Sequence, residues 1–276
     1  VFLVGSTLAG FVFTQNTLHV PRKIRPAAGD PVEIRASDGV LLRASWFPKS
    51  DRCLMILHGV TDSRASGAGF APVFLDAGYA VLAPDSRAHG ESGGNLVTYG
   101  IWEKDDAIQW ARWLKGQGCS KVFGLGESLG GATLLLAAAV SPEWEAIVVE
   151  SVYADIEGAA EQRMRLYSAS VVALPKPIEH AVAWAITENG RLYARAVYRL
   201  DLAKASPIRI FDKLQTPVLL IHGLNDNQTP PEHSKQLAQA NPRARLWLVE
   251  GVGHESSYNH DPAEYRRRVF EWFDQR

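Results

Sequence analysis

Cysteine is scarce in this chain, and so is methionine, with two of each in 276 residues. Cys53 and Cys119 form neither a CxxC pair nor a Cys/His ligand pattern, which argues against a structural zinc site. Both stand near the starts of apolar runs, so the default reading is two buried free thiols. A disulfide stays open if the two strands are neighbours. An excess of charge is also missing. Lys and Arg number 29 against 30 for Asp and Glu, a net charge of −1, with no long single-sign run. The chain therefore lacks the electrostatic footprint of a nucleic-acid partner. No internal repeat or low-complexity segment interrupts it. What is abundant is apolar: 46% of the residues are hydrophobic, enough to bury a sizeable core as one domain with a modest insertion.

The N-terminus is less ordinary. VFLVGSTLAGFVFTQNTL carries no charge, HVPRKIRP follows it, and no initiator Met stands first, so the expectation is that residues were removed upstream. The apolar part is short for a span of about twenty residues, and its second half is polar. Residues 1–31 are read as an anchor or a packing helix, which leaves membrane contact, self-association or plain packing open. The compartment stays open between the cytoplasm and a membrane surface.

After Pro31 strand-like and helix-like blocks alternate. VEIRAS, Asp38-Gly39 and VLLRASWF read as a hairpin of two exposed-edge strands. CLMILHG, YAVLAPD, KVFGLGE, AIVVES, PVLLIHG and ARLWLVEG are apolar runs of the kind covered on both faces. Helical patterns lie over 66–78 and 101–115, where Ile101, Ala107, Ile108, Ala111 and Leu114 share a face, in LGGATLLLAAAV, after Pro230, and from about Pro262. The expectation is an α/β fold with a mostly parallel sheet and helices on both sides. Between Ser151 and about Pro207 strand signals stop. Residues 152–207 read as a helical cap inserted into a core of 32–151 and 208–276, over the strand ends where such sheets place their crevice.

The chemistry centres on Gly126-Glu127-Ser128-Leu129-Gly130, a GxSxG corner between a strand and a helix. That context is what a nucleophile elbow requires, because the tight turn holds the Ser128 hydroxyl clear of its own backbone. A serine hydroxyl is a weak nucleophile without a base and a group that orients the base. His254, in VEGVGHESS, follows one strand; Asp226, in PVLLIHGLNDNQTP, follows the strand before it. Each has a plain alternative, a surface histidine and a helix-capping aspartate, but three features in the order Ser, Asp, His agree. Glu150, at the end of AIVVES, is the rival orienting acid, and Asp155 a weaker one. Val60, after the sharp turn at Gly59, and Leu129 are the candidate backbone donors for an oxyanion. His58 reads as an orienting or packing residue and His89 as a loop-structuring one, rather than as bases. Glu127 either tunes the site electrostatically or pairs with an arginine of the cap.

HGV, PDSRAHGES, GESLGG, HGLNDNQTP and GVGH, in this order, resemble the α/β-hydrolase superfamily, in particular its small-capped esterases and S33-like peptidases. The resemblance covers nearly all of residues 32–276 apart from the cap. It implies an eight-stranded, mostly parallel sheet, no cofactor and no metal, a triad of Ser128, Asp226 and His254, and oxyanion donors at Val60 and Leu129. Ala88 departs from the pattern, since glycine is common there, which leaves that loop's geometry open. The implied function is a carboxylesterase acting on a small-molecule ester with an apolar acyl or aryl group. A lipid deacylase, thioesterase or peptidase with the same triad is the alternative. A non-catalytic hydrolase-like binding protein is the alternative of another class.

Overall fold

The structure, a computed structural model, describes residues 2–171 and 175–276. Residue 1 of the apolar N-terminal segment and residues 172–174 of the helical insertion lie outside the described residues. Eight strands form one sheet: β1 Asp30–Arg35, β2 Leu41–Phe47, β3 Arg52–Leu57, β4 Ala80–Pro84, β5 Lys121–Glu127, β6 Ala146–Glu150, β7 Val218–Gly223 and β8 Ala244–Val249. Their spatial order is β1-β2-β4-β3-β5-β6-β7-β8. β1 and β2 run antiparallel to their neighbours and the other pairs are parallel.

The helices are α1 Phe2–Leu18, α2 Arg64–Asp76, α3 Glu103–Gly116, α4 Leu129–Ala138, α5 Ile156–Val171, α6 Lys176–Tyr198, α7 Glu232–Ala240, the short α8 Ser257–His260 and α9 Pro262–Asp274. Successive strand residues point to opposite faces, so each apolar run feeds two cores at once. Cys53, Met55 and Leu57 of β3 join one cluster with α3 and α4. Leu54 and Ile56 join the other, with Phe74 of α2 and Tyr265, Val269 and Phe273 of α9.

Two sequence expectations are corrected. β2 is not an edge strand: it pairs with β1 on one side and β4 on the other, and Leu42 and Ala44 are fully buried. The cysteines are not free thiols. Cys53 and Cys119 form a disulfide with Cα atoms 5.8 Å apart, because β3 and β5 are neighbours and Cys53 lies opposite Val122.

The N-terminal segment forms α1, and no described helix is long and apolar enough to cross a membrane. α1 packs along α6 at a glycine crossing. A methyl group on Gly10 would come 2.8 Å from Cβ of Asn189, and one on Gly190 would come 2.5 Å from Oγ1 of Thr14. The side-chain amide of Gln15 donates to the hydroxyls of Tyr193 (3.0 Å) and Tyr198 (2.6 Å). Between β6 and β7 the chain supplies α5 and α6, which pack on each other and share a cavity with Ser128, just past the end of β5.

Candidate active site

β5 ends at Glu127 and α4 begins at Leu129, so the whole turn falls on Ser128. Its φ of 47° and ψ of −109° are rare for a residue with a side chain, a conformation that costs on the order of 1–3 kcal/mol. The flanking glycines make it possible. A methyl on Gly126 would sit 2.6 Å from the carbonyl carbon of Gly130, and one on Gly130 would collide with the carbonyl of Leu57. The Ser128 N–H donates to the carbonyl of Glu150 (2.9 Å), which ties the elbow to β6. The hydroxyl faces a cavity of ≈ 580 Å³, which Val60, Leu129 and Thr229 also line. Leu129 opens α4, so its N–H has no intrahelical acceptor and lies at the positive end of the helix.

Asp226 and His254 are brought together. Asp226 occupies the turn after β7, where its Oδ1 accepts the N–H groups of Gln228 (3.0 Å) and Thr229 (2.9 Å). Its Oδ2 lies 2.7 Å from Nδ1 of His254, on the loop after β8. With Asp226 accepting the Nδ1 proton, the basic lone pair of the neutral ring is at Nε2. Burial works against charge on Asp226, but hydrogen bonds from His222, His254 and the Thr229 N–H hold its carboxyl well below the usual range. Burial also disfavours charge on His254, but Asp226 and Glu255 outweigh it and raise the imidazole above its ordinary value, against the charge of Arg163 on α5. Among the described residues the Ser128 hydroxyl makes no hydrogen bond, to His254 or to any other side chain.

Two residues of this site escaped the sequence reading. His222, fully buried on β7, lies with Nε2 3.4 Å from Oδ2 of Asp226. The same nitrogen donates to the carbonyl of Thr229 (2.7 Å), and the Ser234 hydroxyl donates to Nδ1 (2.7 Å). A polar residue closing an apolar strand four places before Asp226 was the available signal. Glu255, with φ 51°, lies with Oε1 3.6 Å from Nε2 of His254, and its N–H donates to Ser151 (3.1 Å). Gly59 leaves the room for it: a methyl there would approach the Glu255 carboxylate to 2.6 Å. Glu255 follows His254 directly and carried no periodic signal of its own.

The remaining candidates have structural partners. Glu150 accepts the N–H of Ser257 (2.8 Å) and pins the loop after β8, while Asp226 contacts the imidazole. Asp155 caps α5 through the N–H groups of Glu157 (3.2 Å) and Gly158 (2.7 Å). His58 accepts the N–H of Ser86 at Nε2 (3.1 Å) and donates from Nδ1 to the carbonyl of Gly59 (2.7 Å). His89 receives the N–H of Thr61 at Nε2 (3.3 Å), and burial lowers its pKa to about 4, so both rings are neutral loop braces. Among the described residues Glu127 has no arginine partner. Burial first, then Glu255, Glu150 and Asp62, raise its carboxyl well above the usual value. Ala88 does what a glycine would do: it adopts φ 60° and its N–H still reaches the carbonyl of Gly93 (2.8 Å). The same loop is anchored by Arg87, whose guanidinium forks onto Asp106 with two 2.7 Å bonds. Among the described residues no cluster of His, Cys, Asp or Glu is placed to hold a metal ion.

Comparison with known proteins agrees with this architecture. The model of the alpha/beta hydrolase family matches residues 54–268, most of the chain. The chain belongs to the alpha/beta hydrolase family. It is 31% identical over 228 residues to the uncharacterized protein YqkD of Bacillus subtilis, covering 80% of this chain and 70% of that one. It is 25% identical over 236 residues to protein ABHD8 of Mus musculus, covering 75% of this chain and 52% of that protein. In fold it is similar to the Pyrococcus furiosus esterase Pf2001, with a TM-score of 0.75, 24% identity, and coverage of 94% and 98% of the two chains. The eight-stranded, mostly parallel sheet with its helices is the alpha/beta-hydrolase fold, and the elbow, Asp226 and His254 follow its parallel strands.

Proposed function

We propose that this alpha/beta hydrolase is a serine carboxylesterase that works through an acyl-enzyme on Ser128. The observation that carries the reading is the 2.7 Å bond from Nδ1 of His254 to Asp226, on loops that follow strands parallel to the one that ends at the Ser128 elbow. In this reading substrate entry brings Nε2 of His254 to the Ser128 hydroxyl, and the imidazole takes its proton as Ser128 attacks the ester carbonyl. Asp226 holds the tautomer and stabilises the imidazolium. The N–H groups of Val60 and Leu129 receive the developing oxyanion. His254 then protonates the departing alcohol, and water clears the acyl group by the reverse exchange. Residues 152–207 act as the cap over the core of 32–151 and 208–276, and a small ester is the partner of the site.

The test is turnover of matched p-nitrophenyl esters, thioesters and aminoacyl amides by the protein and by Ser128→Ala. Ester cleavage that the variant loses supports the reading. Cleavage of amides alone would replace it with a peptidase. A lipid deacylase is the second reading, favoured by one observation: the cavity at Ser128 is lined in part by apolar side chains such as Leu18, Val20, Leu129 and Ile156.

A further inference from the structure

The cavity at Ser128 is not built from the hydrolase core and the helical insertion alone. It runs outward from Ser128, Val60 and Leu129 to Phe13, Thr14 and Thr17 of the N-terminal helix α1, with Ile156 and Ala160 of α5 and Thr187 of α6 completing the walls. α1 is held in that place by more than contact. Leu18 at its end is fully buried with Ala194 and Leu200. The carbonyl of Leu18 accepts the N–H of Val97 (2.9 Å), and the carbonyl of Thr17 accepts the hydroxyl of Tyr99 (3.2 Å). The glycine crossing of Gly10 and Gly190 sets how close α1 lies to α6.

The chemistry of this wall is mostly apolar despite its threonines, with the exposed Asn16 as a polar member. Thr14 donates its hydroxyl to the carbonyl of Gly10 (2.8 Å) and Thr17 donates to that of Phe13 (2.7 Å). Both hydroxyls are satisfied by their own helix. Charges among the lining residues of α5 and α6 are paired: Glu188 lies 2.6 Å from Arg191, and Glu157 lies 3.6 Å from Arg209. Arg163, exposed and without a partner among the described residues, is the exception.

We propose that α1 is the acyl-chain wall of the site, so that the substrates are esters whose uncharged, unbranched, medium-length chain lies between α1, α5 and α6. This rests on the esterase reading and adds what the N-terminal helix does in it. The volume of ≈ 580 Å³ lies in the range that encloses a drug-sized ligand. Each chain methylene buried there raises kcat/KM roughly fourfold until the wall is reached.

The experiment compares kcat/KM for p-nitrophenyl acetate, butyrate, octanoate and decanoate in the wild type, Thr17→Trp and Phe13→Ala. Thr17→Trp fills the channel and is expected to lower the octanoate-to-acetate ratio at least tenfold. Phe13→Ala widens it and moves the optimum to longer chains. Ratios that stay equal in all three proteins would overturn the proposal, and so would a wild-type preference for ω-carboxylated chains, which would make Arg163 the recognising group. A second readout needs no catalysis: displacement of bound N-phenyl-1-naphthylamine by 1-decanol. Thr17→Trp should weaken decanol binding at least tenfold, and equal binding by the two proteins overturns the proposal. Decanol binding that responds to Thr17 while no ester turns over separates failure of the esterase reading from failure of this one.

Discussion

Breaking the Cys53–Cys119 disulfide should lower stability without touching the site. The link closes a stretch of 66 residues between β3 and the start of β5, spanning α2, β4 and α3. In the chain-entropy account, constraining a loop of that length removes about 4 kcal/mol of freedom from the unfolded chain at 25 °C. Scaled to a chain of 276 residues, the unfolding entropy is about 0.6 kcal/mol/K, so the midpoint should fall by about 7 °C. Cys53 is inaccessible in the native state, so the reduced protein must be prepared by unfolding in reductant and refolding without oxidant. Scanning calorimetry of the oxidised and reduced forms then reads the difference, and Ser128 labelling by a fluorophosphonate checks that the site is intact. A reduced form melting within 2 °C of the oxidised one (roughly 1 kcal/mol by the same scaling) would refute the reasoning, because both forms pack the same strands and differ only in the unfolded chain. A large loss of labelling would refute it in another way, by showing that the link shapes the native site.

Other outcomes follow from the site and its surroundings. In the proposed reaction activity needs the neutral His254 ring, so it should be present above the imidazole's pKa and lost as pH falls through it. That pKa is raised above 6.5, which places the midpoint of the acid limb of kcat/KM above 6.5. Glu255→Gln removes an anion 3.6 Å from Nε2, and the pH profile should move to lower pH. Asp226→Asn should lower kcat by about 10⁴-fold with the fold intact, read by steady-state kinetics and circular dichroism. Asp106→Asn leaves the Arg87 guanidinium buried without its fork, and denaturant unfolding should report a loss of about 3–5 kcal/mol. Gly130→Ala drives a methyl into the Leu57 carbonyl and should abolish turnover even where the protein stays folded, since the elbow must open.

The central strands were legible in the sequence because β3 to β7 are covered on both faces and therefore read as unbroken apolar runs. β2 was misplaced for the same reason in reverse: its alternation of Leu42, Ala44 and polar neighbours looks like an edge, although it is paired on both sides. Ser128, Asp226 and His254 stand out as candidates because each lies just after a strand, where spacing carries information, and the structure brings Asp226 and His254 together. His222 and Glu255 were not, because their roles depend on the distance across a turn and not on a sequence interval. The disulfide was undecidable until strand order was known, since nothing in the sequence between two cysteines 66 positions apart says that β3 and β5 are adjacent. The N-terminal helix hid its place for a similar reason. Its uncharged face suits lipid, a partner or α6 equally well, and only the glycine crossing distinguishes the last.

The measurement that bears most directly on the central claim is intact-protein and peptide mass spectrometry after treatment with a fluorophosphonate. The account predicts one adduct, on Ser128, absent in Ser128→Ala and slowed in Asp226→Asn. An adduct on another residue, or ester turnover that survives in Ser128→Ala, would contradict it.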